Sequence, residues 1–186
     1  SSVLIQTAGL NILNDPVWSM RIGPVPKLGG PKRHIMPGIR FEDLPPIDVV
    51  LISHNHYDHM DIPTLKMLET KFGPVFFTGL GNRKILKDAG LEKVHEMDWW
   101  DSSALANGVI IDFVPSQHFS ARSQCDRDRT LWGGFVIRTP GGPVYFASDT
   151  GMGPHFEMIK ERFGRPRVAF LPIAASTPPG AWSNSQ

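Results

Sequence analysis

Directly after the apolar run Asp48-Val49-Val50-Leu51-Ile52-Ser53, the chain places three histidines and an aspartate within six residues: His54, His56, Asp58 and His59. A continuous apolar run is the pattern of a strand buried on both faces, so the cluster is expected at a strand end inside an α/β structure. Imidazole and carboxylate are the ligands that divalent ions such as Zn²⁺ favour, and catalytic sites of this kind keep a position open for water. In a short connection, His54 and His56 can face one side while Asp58 and His59 turn back toward a neighbouring position. Four ligands at this density can therefore serve two adjacent ions. The competing reading is a solvated polar turn, or a capping segment for a helix opening near Pro63. One histidine alone would favour that reading; four ligands together do not, because buried imidazoles need partners.

Two further residues are expected to join the cluster. His118 and Asp149 each follow an apolar run, at the strand-end position where α/β proteins commonly place functional groups. Taken singly, either is more ordinarily a loop residue. Asp149, flanked by Ser148 and Thr150, could bridge two cations, since a carboxylate offers two oxygens. Asp15 is expected behind a ligand histidine as its hydrogen-bond partner. His34, His95 and His155 lack ligand spacing and read as structural or exposed. Tyr57 reads as packing beneath the cluster, and nothing near Cys125 supports a nucleophilic role.

The remaining pattern is that of a mixed α/β domain. Residues 3–6 and 10–13 read as strands around the turn Thr7-Ala8-Gly9. Residues 18–46 are rich in Pro and Gly and lack periodicity, which in a compact domain is often functional. Strands are expected at 75–78, 93–96, 109–115, 134–138, 144–147 and 168–171, and helices at 63–72, 82–89 and 156–163. Strands and helices mix without a strict βαβ repeat.

Composition narrows the setting. With 41% hydrophobic residues and a formal net charge of +1, the chain reads as globular, with no bulk charge to draw nucleic acid. A single cysteine excludes an intrachain disulfide framework and fits a reducing, cytoplasmic compartment. No apolar run approaches the roughly 20 residues of a spanning helix. The expected organisation is one partial domain over residues 1–175 and an irregular tail over 176–186. The alternative is a complete small domain with a disordered tail.

The segment His54-Asn55-His56-Tyr57-Asp58-His59 matches the HxHxDH signature of the metallo-β-lactamase superfamily. Asp15-Pro16-Val17-Trp18-Ser19, Gly30-Pro31-Lys32-Arg33, Leu44-Pro45-Pro46-Ile47-Asp48 and Thr130-Leu131-Trp132-Gly133-Gly134-Phe135 resemble its N-acylphosphatidylethanolamine-hydrolysing phospholipase D-like branch. The resemblance runs from about residue 1 to 174. It implies an αββα sandwich of mixed sheets with the metal site at one edge. By that resemblance His54, His56 and His118 hold a first zinc, Asp58 and His59 belong to a second, and Asp149 bridges the pair. The branch also carries a further histidine after the strand at 168–171 and a Gly-His pair ahead of residue 1. This sequence shows neither, so the sandwich reads as incomplete, truncated at both ends.

The function that follows is a metal-dependent hydrolase with two divalent ions, Zn²⁺ by preference, and a zinc-bound hydroxide oriented by Asp58. The first substrate expectation is a small-molecule or lipid phosphodiester of the phospholipase D type. The alternatives are a lactonase-like or other phosphodiesterase member of the superfamily, and a non-catalytic metal-binding fragment. Arg122, Asp126 and Trp132 match the branch pattern and could shape a substrate cleft, with loop bracing the equally weighted reading. Lys32 and Arg33 could attract a phosphate, although a solvated loop pair is commoner. Nucleic acid is not expected as a partner. Peripheral membrane contact and oligomeric state stay open.

Overall fold

The computed structural model describes residues 2–24 and 30–173. The expected tail at 176–186, and Gly29 of the Gly-rich loop, lie outside the described residues.

Among the described residues, ten strands form two five-stranded sheets. The first runs β1 (Val3–Thr7), β2 (Leu10–Asn14), β3 (Val49–Ile52), β4 (Val75–Gly79), β5 (Val94–Met97), in that spatial order. The second runs β10 (Val168–Phe170), β9 (Val144–Phe146), β8 (Gly134–Arg138), β7 (Ile110–Val114), β6 (Ser102–Ala104). Both sheets are mixed. β1 and β2 are an antiparallel hairpin, after which β2 to β5 run parallel. In the second sheet β6 to β9 are antiparallel and β10 joins parallel to β9.

Helices α1 (Ile62–Phe72) and α2 (Arg83–Asp88) connect β3 to β4 and β4 to β5, and α3 (His155–Phe163) precedes β10. The stretch β3-α1-β4-α2-β5 is therefore a regular βαβαβ unit, more regular than the sequence pattern indicated. Pro63 occupies the first turn of α1, where its missing N–H is no loss. The helix ends at Gly73, whose left-handed conformation (φ 58°) lets its N–H reach back to the carbonyls of Glu69 and Leu68.

Period-two alternation sorts β3 between two cores. Val49 and Leu51 point between the sheets, among Ile12, Phe77, Ile111, Phe113, Phe135 and Phe146. Val50 and Ile52 point outward, beneath Leu65 and Leu68 of α1 and Leu86 of α2. Val136 and Tyr145 of the second sheet lie under Ile159, Phe156 and Phe163 of α3. The layers are thus helix, sheet, sheet, helix, as expected. Among the described residues no helix is long and apolar enough to cross a membrane.

The approach to β8 is constrained by packing. A Cβ on Gly133 would lie 2.4 Å from the carbonyl oxygen of Val114 and 2.8 Å from the Phe113 ring, so the loop after Trp132 passes through space that only glycine leaves. From there Gly133 N–H donates to the carbonyl of Ser53 at 3.1 Å, which fixes the residue just ahead of His54.

Candidate metal centre

The parallel strands β3 and β4 end on the same edge as β7 and β9, and the loops leaving that edge bring the six expected ligands together. His54 to His59 follow β3, His118 follows β7, and Asp149 follows β9.

Three imidazoles converge first. His54 Nε2 lies 2.9 Å from His56 Nδ1, which lies 3.2 Å from His118 Nε2. Ligand atoms of these three all fall within 4.8 Å of one another, and so do those of a second group, His54, His59 and Asp149. Asp149 Oδ2 is 3.2 Å from His59 Nε2 and 4.0 Å from His118 Nε2, so it reaches toward both groups. Asp58 stands at the solvent side, half exposed, with Oδ2 3.6 Å from His59 Nε2. It borders the second group without entering its compact set, and His54 rather than Asp58 completes that set.

A buried network holds the rings. Asp15, with no exposed surface, accepts from the Ser53 N–H at 2.8 Å, the Ser53 hydroxyl at 2.7 Å and the Ser148 hydroxyl at 2.8 Å. Its Oδ2 also lies 2.8 Å from His59 Nδ1. On the other side Ser53 Oγ meets His54 Nδ1 at 2.8 Å. With their far nitrogens engaged, His54 and His59 each present Nε2 to the cluster, which is how partners behind a ligand fix imidazole orientation. Asp15 thus stands where expected. Ser53 and Ser148 carry roles that residue type alone did not signal; each is the immediate chain neighbour of a ligand, the one available hint.

Burial, with His59, His118 and His56 adding to it, holds His54 well below the usual imidazole range. Burial lowers His56 as well, and brings His118 down to about 4 against the pull of Asp149. All three are therefore neutral near pH 7, each with one ring nitrogen able to offer a lone pair. His59 goes the other way: burial opposes its protonation, but Asp15 and Asp149 outweigh that and raise it to about 10. The hydrogen bond with His59 holds the Asp149 carboxyl at about 2 despite burial. A proton on His59 thus meets the negative charge that a divalent cation would otherwise neutralise. Neutral imidazoles crowded at 2.9–3.2 Å beside a charged carboxylate are a donor set that fits such cations.

The neighbouring residues brace the site. Arg122 Nη1 donates to the carbonyls of Asn55 and Met60 at 2.8 and 3.0 Å, and its guanidinium lies 4.2 Å over the Tyr57 ring. Tyr57 in turn donates to the Arg122 carbonyl at 2.7 Å. Asp126 accepts from the N–H groups of Arg122 and Ser123, and Trp132 donates to the Ser116 carbonyl at 3.1 Å. These contacts brace the loops, and Arg122 also lines a cleft of about 310 Å³ together with Tyr57 and Met60. Phe119, which the sequence did not single out, packs its ring 4.6 Å from His56 and 4.9 Å from His118. His155 is buried, 3.0 Å from Thr150 Oγ1 and outside both ligand groups; His34 and His95 are exposed. Cys125 is exposed and free.

The sequence matches the beta-lactamase superfamily domain family over residues 10–184. It is 34% identical over 189 aligned positions to N-acyl-phosphatidylethanolamine-hydrolyzing phospholipase D 1 of Caenorhabditis elegans, covering 96% of this chain and 52% of that protein. A mitochondrial N-acyl-phosphatidylethanolamine-hydrolyzing phospholipase D of Saccharomyces cerevisiae is 35% identical, over 91% of this chain and 37% of its own length. The chain thus spans about half or less of these relatives. A solved metallo hydrolase from the archaeon Ignicoccus hospitalis superposes with a TM-score of 0.71 at 25% identity, covering 94% of this chain and 67% of that one. An isothiocyanate hydrolase from Delia radicum gut bacteria also gives 0.71, at 20% identity, covering 91% and 67%, and shows the shared fold. With its two mixed sheets, its histidine cluster at their edge and a match across most of its length, the chain belongs to the metallo-β-lactamase superfamily, with phospholipases D that hydrolyse N-acyl-phosphatidylethanolamine among its relatives.

Proposed function

We propose that the chain is the metal-dependent hydrolytic part of a phosphodiesterase, with a lipid phosphodiester of the N-acyl-phosphatidylethanolamine type as substrate. The observation that carries this reading is the convergence of His54 Nε2, His56 Nδ1 and His118 Nε2 beside the His59–Asp149 pair. His54, His56 and His118 would hold one divalent cation, and His59 with Asp58 a second, with Asp149 shared between them; Zn²⁺ suits this donor set. Two such cations supply Lewis acidity toward a phosphoryl oxygen and make a water more acidic.

The chain's own residues account for the rest. Asp58, the exposed carboxylate at the rim, orients the attacking water and takes its proton. The water oxygen bonds to phosphorus, the bond to the leaving oxygen breaks, and the proton passes to that alcohol. Asp15, Ser53 and Ser148 keep the imidazoles aimed through their shared hydrogen bonds.

The test is hydrolysis by the zinc-loaded chain of N-acylphosphatidylethanolamine, bis(p-nitrophenyl) phosphate and a lactone, side by side. The reading expects turnover of the phosphodiesters, abolished in His56→Ala and Asp58→Ala. Turnover of the lactone alone would support a lactonase-like member. Bound metal without any turnover would support a metal-binding fragment, and activity retained in both variants would overturn the site assignment.

A further inference from the structure

The loop between β7 and β8 carries the candidate ligand His118 and then closes on itself. Ser120 Oγ donates to the carbonyl of Thr130 at 2.6 Å, Asp128 N–H to the carbonyl of Ser120 at 2.9 Å, and Arg122 N–H to the Asp126 carboxylate at 2.9 Å. Asp128, at a positive φ of 59°, turns the chain as this closure requires. The backbone that carries Arg127 is thereby fixed.

The Arg127 guanidinium carbon lies 4.2 Å from the centre of the Phe119 ring, the same ring that packs 4.6 Å from His56 and 4.9 Å from His118. One aromatic ring thus links the guanidinium to two of the three converging imidazoles, and a cation–π seat orients a guanidinium while leaving its N–H groups free. The side chain is about half exposed, and among the described residues its one ionic contact, with Asp128 at 3.5 Å, is longer than a good hydrogen bond. A solvated pair at that distance leaves the charge of Arg127 largely uncompensated. Arg122, by contrast, is committed to the carbonyls of Asn55 and Met60. Asp58 and Asp149 are half exposed beside the same histidines, but both face His59, among the atoms whose charge bound cations would offset. Arg127 lies outside that set, and its field still reaches it: burial lowers His56 most, and Arg127 is the guanidinium that lowers it further.

We propose that Arg127 is a specificity-determining residue of this centre, a guanidinium seated on Phe119 that draws in and holds the anionic phosphodiester group of the substrate. A guanidinium with free N–H groups forms paired, charge-assisted hydrogen bonds with phosphoryl oxygens, an attraction that an uncharged ester does not receive. The ligand class rests on the phosphodiesterase reading, to which this adds the residue that selects anionic over neutral esters. A purely structural role, with Arg127 bracing Phe119 against the ligand imidazoles, would show itself in zinc binding instead.

The experiment is calorimetric titration of the zinc-loaded chain with diethyl phosphate, a phosphodiester monoanion, beside Arg127→Gln, Arg127→Lys and Lys84→Gln, with the zinc content of each protein measured. Arg127→Gln is expected to weaken binding roughly 10-fold with zinc content unchanged, the scale of a lost charge-assisted hydrogen bond. Arg127→Lys keeps the charge without the fork and is expected to recover part of the loss. Lys84→Gln, on exposed α2, is expected to change binding less than about 2-fold. The proposal is overturned by full binding in Arg127→Gln, by equal loss in Lys84→Gln, by loss of zinc from Arg127→Gln, or by absence of binding to the wild type. Binding is read without turnover, so diethyl phosphate held through Arg127 by a chain that hydrolyses no phosphodiester would count against the hydrolase reading and not against the anion site.

Discussion

Asp15 Oδ2 and His59 Nδ1 lie 2.8 Å apart, both buried, 44 residues apart in sequence. The contact joins the end of the β2 hairpin strand to the ligand loop after β3, and it leaves His59 Nε2 free to face Asp149. Asp15 adopts a positive φ of 42°, a conformation uncommon outside glycine but one to which Asn and Asp are the more prone of the other residues. Four donors from three residues, Ser53, His59 and Ser148, converge on its carboxylate.

Asp15→Asn should therefore weaken metal binding without destroying the fold. An amide keeps the volume but loses the charge and one acceptor, so His59 loses its electrostatic partner. Replacing a carboxylate behind a ligand histidine typically costs about 10–100-fold in metal affinity. Competition titration of zinc against a chelator dye reads this directly, and affinity unchanged from wild type would contradict the role given to Asp15.

Arg122→Ala removes a different support. It strips the carbonyls of Asn55 and Met60 of their shared donor and uncovers the Tyr57 ring. A loss of about 2 kcal/mol in unfolding free energy is expected, the scale of charged hydrogen bonds lost from a partly buried site. Arg122→Lys should recover little, because one ammonium does not reproduce the fork geometry. Chemical denaturation of the three proteins is the check; a fully stable Arg122→Lys would show that charge alone suffices.

Gly133→Ala tests the close approach of two backbones. A methyl group there meets the Val114 carbonyl and the Phe113 ring well inside contact distance. The loop must shift, which should destabilise the fold by about 1–3 kcal/mol. Because Gly133 N–H binds the Ser53 carbonyl, zinc affinity should fall as well. Loss of stability with zinc affinity intact would separate the loop from the ligand positions.

How much of this was legible in the sequence depends on how local each signal is. The candidate ligand loop was legible because His54 to His59 sit together immediately after an apolar strand. The four buried residues of β3 gave that strand away for the same reason. The short edge strand β6, Ser102-Ser103-Ala104, carried no apolar alternation; it is held by pairing with the next strand, β7, and by the Ser102–Asp112 hydrogen bond, neither of which its own residues announce. The sharing of His54 between two ligand groups was also hidden. Ring positions follow from Ser53, Asp15 and Ser148 meeting across two sheets, and no spacing within one segment encodes that meeting. The Trp132-Gly133-Gly134 motif was visible as a pattern, but its cause, space left for neither Cβ, belongs to the packing of β7 and β9 against it.

Metal removal should be felt in stability. A cation bound only by the folded state adds stability in proportion to its saturation, about 4 kcal/mol at a thousandfold excess over the dissociation constant. Chelator treatment should lower the unfolding temperature of the zinc-loaded chain, and zinc should restore it. His118→Ala should shrink the difference. An unfolding temperature indifferent to chelator would argue against a resident cation.

The most direct measurement is the zinc content of the purified, zinc-equilibrated chain by elemental analysis, set beside His118→Ala and His59→Ala. About two zinc ions per chain are expected in the wild type, with a clear loss in each variant. Zinc absent from the wild type, or unchanged in both variants, would contradict the claim that these side chains form a metal centre.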